Sequence, residues 1–244
     1  MTALIRSELL KLFTVRAPRW IVLAQIPLFA MAASGAIVSG AISTHDLATE
    51  DGQRLLLSHG GVGAILSLCL GITLSAGEFR HGTVVDTFLS EPRRDRVIAA
   101  KLTAAGMVGL AIGVIIAAAT LVVGLIWCVA KDVTLDWSVA GRSAIGIVAW
   151  QALFTVIGAA LGAMIRAQGA AIAASVAWLF IAETALGQLI SSIARWLPAS
   201  AASATGNAPA DWLLPQACGG LVLLGWTLAA AAGAVFLTRR RDLA

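Results

Sequence analysis

Apolar residues along this chain fall in six long blocks divided by short polar stretches. The blocks run from about Trp20 to Ile42, Gly60 to Ala76, Thr103 to Ala130, Gly141 to Ile165, Gly169 to Ile190 and Ala217 to Leu237. Their lengths are near the roughly 20 residues a helix needs to cross a hydrocarbon layer about 30 Å thick. Lipid offers the backbone no hydrogen-bonding partner, so a crossing segment must satisfy its own amides. Uniformly apolar blocks without period-two alternation do so as helices, not as barrel strands. The pattern therefore predicts an all-α, polytopic membrane protein with six transmembrane helices, forming one membrane domain over residues 1–244. The first block is longer than the core of a typical signal peptide and is expected to be retained.

Composition agrees: 59% of residues are hydrophobic and 12% charged, with a mean hydropathy of +0.90, more apolar surface than a soluble globule of this length buries. The net charge of +4 reads as orientation, not nucleic-acid binding, because its placement is lopsided. Counted by loop parity, 13 of the 17 Lys and Arg residues fall on one side. These include Arg6, Lys11, Arg16 and Arg19 before the first span, Arg80 to Lys101 between the second and third, and Arg239 to Arg241 after the last. Basic residues resist translocation, so both termini are expected in the cytoplasm. Cys69, Cys128 and Cys218 lack metal-site spacing and read as packing residues, with a Cys128–Cys218 bridge conceivable.

The flanks add detail. Residues 1–18 place Leu4, Ile5, Leu9, Leu12 and Phe13 near helical spacing among basic residues, as in a helix lying in the inner interface against lipid phosphates or as an extension of the first span. Ser43 to His59 reads as a solvated outer loop whose His and carboxylate spacing matches no metal site. Residues 191–216, with Trp196 and Trp212, suggest short outer helices before span six, and Ala199 to Ala210 reads as the turn between them.

The most informative stretch lies between the second and third blocks: Glu78, Phe79, Arg80, His81, Gly82, Thr83, then Val84, Val85, Thr87, Phe88, Leu89 and Pro92. Thr83 is placed as a cap, Val84, Val85, Phe88 and Leu89 form an apolar stripe, and Pro92 ends the element. A helix this short is not stable alone and is expected to dock, either on the bilayer and span ends or in a groove of a partner.

This segment resembles the membrane-spanning permease subunits of ATP-binding-cassette (ABC) transporters of the second permease type. In that family the second span ends in a pattern like Glu-x-Arg-x-Gly-Thr followed by Thr, Leu, Pro and a basic run. Here those positions are Glu78, Arg80, Gly82, Thr83, Thr87, Leu89 and Pro92, then Arg93, Arg94, Arg96 and Lys101. The opening is similar too, with Glu8, Lys11 and Arg16, as is Arg195-Trp196-Leu197-Pro198. The resemblance implies that residues 78–92, within a segment 78–96, form a cytoplasmic coupling helix seated in a separate ATP-binding ABC subunit. Glu78 and Arg80 would tie the second span to a neighbour, and Gly82 would turn the chain. It also implies a second permease subunit, identical or related, and export of an amphipathic drug, lipid or peptide across a bacterial plasma membrane.

No Gly-x-x-x-x-Gly-Lys-Ser/Thr phosphate loop occurs, so ATP and Mg are expected in the partner, with no cofactor in this chain. No nucleophile elbow or His-Glu-x-x-His appears either, and the chain is not read as an enzyme. Within the fifth block Glu183 is an expensive group, placed near mid-span by these boundaries. With Gln151 and Gln188 it either lines a substrate path or locks helices together. Gly109-x-x-x-Gly113 and Gly158-x-x-x-Gly162 indicate close helix packing. Two other functional readings are a non-transporting membrane scaffold or sensor partner, and a proton-driven carrier using Glu183.

Overall fold

The computed structural model describes residues 1–14, 17–80, 82, 87, 89, 91 and 93–240. All regular structure among them is helical. In chain order the helices are α1 (Thr2–Thr14), α2 (Ala17–Val38), α3 (Thr44–Leu47), α4 (Glu50–Ser58), α5 (Ala64–Arg80), α6 (Arg94–Ala130), α7 (Trp137–Ile165), α8 (Gln168–Leu189), α9 (Ser191–Ala194), α10 (Pro198–Thr205) and α11 (Gln216–Arg240). Six helical stretches are long and apolar enough to cross a membrane: Arg19–Val38, Glu50–Arg80, Arg94–Ala130, Trp137–Ile165, Gln168–Leu189 and Gln216–Arg240. The multi-pass architecture read from the blocks is therefore present.

The second and fourth spans form the centre, 61% and 50% buried, whereas the fifth and sixth are only 17% buried. Small residues set this arrangement. A Cβ added at Gly71 would lie 2.0 Å from the Thr155 carbonyl oxygen, and one at Gly158 would lie 2.0 Å from that of Leu68. The α5 and α7 backbones thus touch through reciprocal glycines, and Gly162 extends the contact to Ile72. Gly109 and Gly113 bring α6 close to α7 at Ala152 and Val148, where an added Cβ would lie 2.8 Å from the backbone. Both small-residue motifs therefore sit at real helix crossings, where the missing side chains let the backbones approach. Around them Phe29, Leu70, Ile112, Ile116 and Ile147 fill the space between α2, α5, α6 and α7.

The helix boundaries depart from the apolar blocks for identifiable reasons. α6 begins at Arg94, nine residues before the expected Thr103, because Val97, Ile98, Ala100 and Leu102 are buried in helical register even though Lys101 interrupts the run. The first span ends at Val38, not Ile42, in a turn where Gly40 has φ 79°. The stretch from Ser43 to His59 is not a loop. Ser43 and Asp46 form a reciprocal capping box that starts α3, and the Thr49 side chain accepts from the Gly52 N–H to start α4. Leu47, Leu56 and Leu57 are buried by these helices. Likewise the expected turn from Ala199 is helical through Thr205, opened by Pro198 in its first turn.

The two ends of the bundle differ. At one, which carries α1, Arg239 near the end of α11 pairs with Asp95 in the first turn of α6 at 2.9 Å. At the other, the Gln53 amide donates to the carbonyls of Leu47 at 3.2 Å and Thr134 at 2.9 Å and accepts from the Asp136 N–H at 2.8 Å. Hydrogen bonds from Asn207 to Ser143 and from Gln216 to the Arg142 carbonyl close the same end over α7. Cys69, Cys128 and Cys218 are all unbridged.

Candidate functional site

The segment singled out in the sequence begins on α5, which carries Glu78, Phe79 and Arg80, and its last residues, 94–96, belong to α6. Between them Thr83, Phe88 and Pro92 lie outside the described residues. Gly82 has φ 72°, a left-handed conformation that suits glycine directly after α5. Thr87 and Leu89 have helical backbone, the Glu91 N–H donates to the Thr87 carbonyl at 3.1 Å, and Leu89 is exposed.

What holds the two ends of this segment is a four-membered ion cluster. Lys101 Nζ on α6 lies 2.6 Å from Glu8 Oε2 on α1 and 2.9 Å from Glu78 Oε1 on α5. Lys11 Nζ, one turn along α1, lies 2.7 Å from Glu8 Oε1 and 3.0 Å from Glu78 Oε1, and donates to Thr87 Oγ1 at 3.3 Å. Two cations meet two carboxylates, and Lys101 is only 5% exposed. Burying such charges costs several kcal/mol each, so the geometry holds only with all partners in place. Glu78 therefore makes the neighbour pairing expected of it. Arg80 is exposed and has no ion pair among the described residues.

The cluster extends outward. The Arg166 guanidinium, at the left-handed end of α7, stacks over the Phe79 ring at 5.0 Å, and Phe79 packs on the buried Val97 of α6. α1 is docked on α6 through Glu8, and residues 15 and 16, between it and α2, lie outside the described residues.

Burial alone would raise the Glu8 carboxyl, but the Lys101 charge and hydrogen bond, followed by those of Lys11, hold it below its ordinary value of 4.5. Burial pulls Lys11 down, yet its hydrogen bonds and charge attraction to Glu8 and Glu78 raise it above 10.5. A depressed carboxylate stabilises the fold above its unfolded value and loses that contribution as pH falls through its folded value. A raised lysine contributes fully below 10.5 and loses its share only as pH rises past its folded value. Docking of α1 is therefore sensitive to acid first.

The three polar residues expected within the spans separate. Gln151 is fully buried and belongs to a closed ring: Gln25 Nε2 donates to Ser67 Oγ at 3.1 Å, Ser67 donates to Gln151 Oε1, and Gln151 Nε2 donates to Gln25 Oε1 at 2.9 Å. This ring ties α2, α5 and α7 together, an arrangement that locks helices. Glu183 lies in the second half of α8, 6% exposed, and its Oε2 accepts from the Ala199 N–H at 2.9 Å. Leu197 supplies no capping side chain and Pro198 has no N–H, so Glu183 satisfies the first free amide of α10. Gln188 is exposed and lines the same cleft as Glu183.

Sequence reading gives Lys101 no role beyond the basic run after Pro92, and it misses Gln25 and Ser67. The available signal was a single lysine flanked by Val97 to Ala100 and Leu102, and a lone amide in the first block. Among the described residues no group of three or more His, Cys, Asp or Glu side chains is arranged to hold a metal ion. Comparison with protein-family models and with curated proteins finds no match to the chain.

Proposed function

We propose that the chain is the membrane-spanning subunit of an ATP-driven ABC exporter of amphipathic molecules, with residues 78–92 coupling it to a separate ATP-binding subunit. The observation that carries this reading is the ion cluster that fixes both ends of that segment. A nucleotide-driven closure in the cytoplasm must push on the membrane helices through an element that does not yield. Glu78 and Lys101 are linked to one another and, through Glu8, to α1. Displacement of the intervening segment is thus delivered to α5 and α6 together, and α5 contacts the central α7 through backbone-to-backbone glycine crossings. Leu89, exposed on the helical turn, is free to enter a partner's groove.

The resemblance at Glu78, Arg80, Gly82, Thr83, Thr87, Leu89 and Pro92 supports the same reading, as does the concentration of basic residues at this end of the bundle, which favours a cytoplasmic location. ATP and Mg belong to the partner. A second permease subunit packs on the sparsely buried peripheral spans, and the assembly resides in a bacterial plasma membrane.

The test is co-expression with an ATP-binding subunit and measurement of turnover. Leu89→Asp places a charge on the docking face and is expected to lower ATPase turnover of the complex by about tenfold or more, leaving the melting temperature of the membrane subunit unchanged. Wild-type turnover in the Leu89→Asp complex contradicts the proposal.

A further inference from the structure

Two neighbouring cavities lie along the fifth span. The first, about 430 Å³, runs along α7 from Phe154 to Ile165 and is walled on other sides by Trp178, Leu179 and Trp226. Its only polar lining side chain outside the indoles is Ser175, whose hydroxyl is already donated to the Ala171 carbonyl at 2.8 Å. The Trp226 indole is likewise engaged, with the Trp196 carbonyl at 2.9 Å. The second, about 450 Å³, is lined by Glu183, Thr184, Gln188, Ser200 and Trp212, and it shares Leu179 with the first.

Among the described residues Glu183 is the sole carboxylate lining either cavity, and no Lys or Arg lines them. Its Oε2 is committed to Ala199, and the Trp178 indole is the other group that faces the carboxylate. Neither brings a positive charge, so among the described residues Glu183 has no counter-ion. The nearest basic residue in sequence to the cleft, Arg195, faces the Trp196 ring at 6.0 Å. A five-residue π-helical stretch, Trp178–Ala182, immediately precedes Glu183, and such insertions re-aim side chains at functional positions.

We infer that these neighbouring cavities together bind a lipophilic organic cation, its apolar body between α7, α8 and α11 and its charge against Glu183 and the Trp212 face. A charge without an internal counter-ion recruits one from the ligand, and an aromatic wall favours a cation. The inference deepens the exporter reading by naming a cargo class. It rests on that reading only for the fate of the bound ligand, since binding itself requires no ATP-binding subunit.

The protein is reconstituted in phosphatidylcholine nanodiscs, and binding of tetraphenylphosphonium and of its isosteric anion tetraphenylborate is measured by equilibrium dialysis against empty nanodiscs. The wild type is expected to bind the cation in preference to the anion. Glu183→Gln, which keeps an acceptor for the Ala199 N–H, is expected to weaken cation binding by at least about tenfold with no loss for the anion. Ala229→Phe, which fills the apolar cavity from α11, is expected to weaken the cation independently and guards against misfolding of the first variant. Equal binding of both ions by the wild type, absence of cation binding, or wild-type affinity in either folded variant overturns the inference. A loss of ATPase coupling in Leu89→Asp with cation binding intact separates this result from the coupling proposal.

Discussion

Replacing Lys101 with methionine is expected to lower the stability of the protein by about 3 kcal/mol, the lower end of the cost of breaking a buried ion pair by removing one partner. The substitution conserves most of the volume of the side chain but leaves Glu8 and Glu78 facing one another, with Lys11 as their only shared cation. The residual pairing by Lys11, which is far more exposed than Lys101, keeps the loss from being larger. Removing the charges together restores most of the stability: Lys101→Met with Glu8→Gln and Glu78→Gln leaves Lys11 as the cluster's one remaining ion, and its side chain, 43% exposed, reaches water. Thermal unfolding in detergent distinguishes the variants. The wild type should also lose stability as pH falls below the ordinary glutamate range, because its depressed Glu8 is then protonated, and the triple variant should lose that dependence. An unchanged melting temperature in Lys101→Met contradicts the cluster's structural role.

The second large effect is at the α5–α7 crossing. Gly71→Val and Gly158→Val are each expected to cost about 3 kcal/mol or more, beyond the usual penalty for overpacking, since the added atoms meet backbone carbonyls and not movable side chains. Neither helix can yield without losing contact over its length. Gly225→Ala is the counterpart: the glycine lies in α11 with nothing within 4 Å of an added Cβ, and the alanine should stabilise by up to about 1 kcal/mol through helix propensity alone. Equal behaviour of Gly71→Val and Gly225→Ala in an unfolding titration contradicts the crossing described above.

These two sites also show what was legible in the sequence. The six spans were, because lipid-crossing helices must carry their apolar character in one contiguous block. The packing glycines were visible as motifs, but in a chain with 24 glycines spacing alone does not say which meet a neighbour. The ion cluster was only half visible. Glu78 stood out in its segment, whereas Glu8 and Lys101 are separated by 93 residues and look like ordinary interfacial charges until α1 folds onto α6. The α3 and α4 helices were hidden for a local reason: their polar faces and capping residues Ser43, Asp46 and Thr49 have the composition of a loop. Glu183 was identified as costly, yet its partner was the backbone of Ala199, which no side-chain pattern reveals.

The coupling proposal places Leu89 against an ATP-binding protein and not in lipid. The direct measurement is to introduce Leu89→Cys, attach a benzophenone maleimide, irradiate native membranes and photolabel in parallel with 8-azido-ATP. The account predicts a covalent adduct that carries the nucleotide label and that forms less readily when the Glu78–Lys101 base is removed by Lys101→Met. Crosslinking of Leu89→Cys to lipid alone, with no nucleotide-labelled adduct, contradicts it.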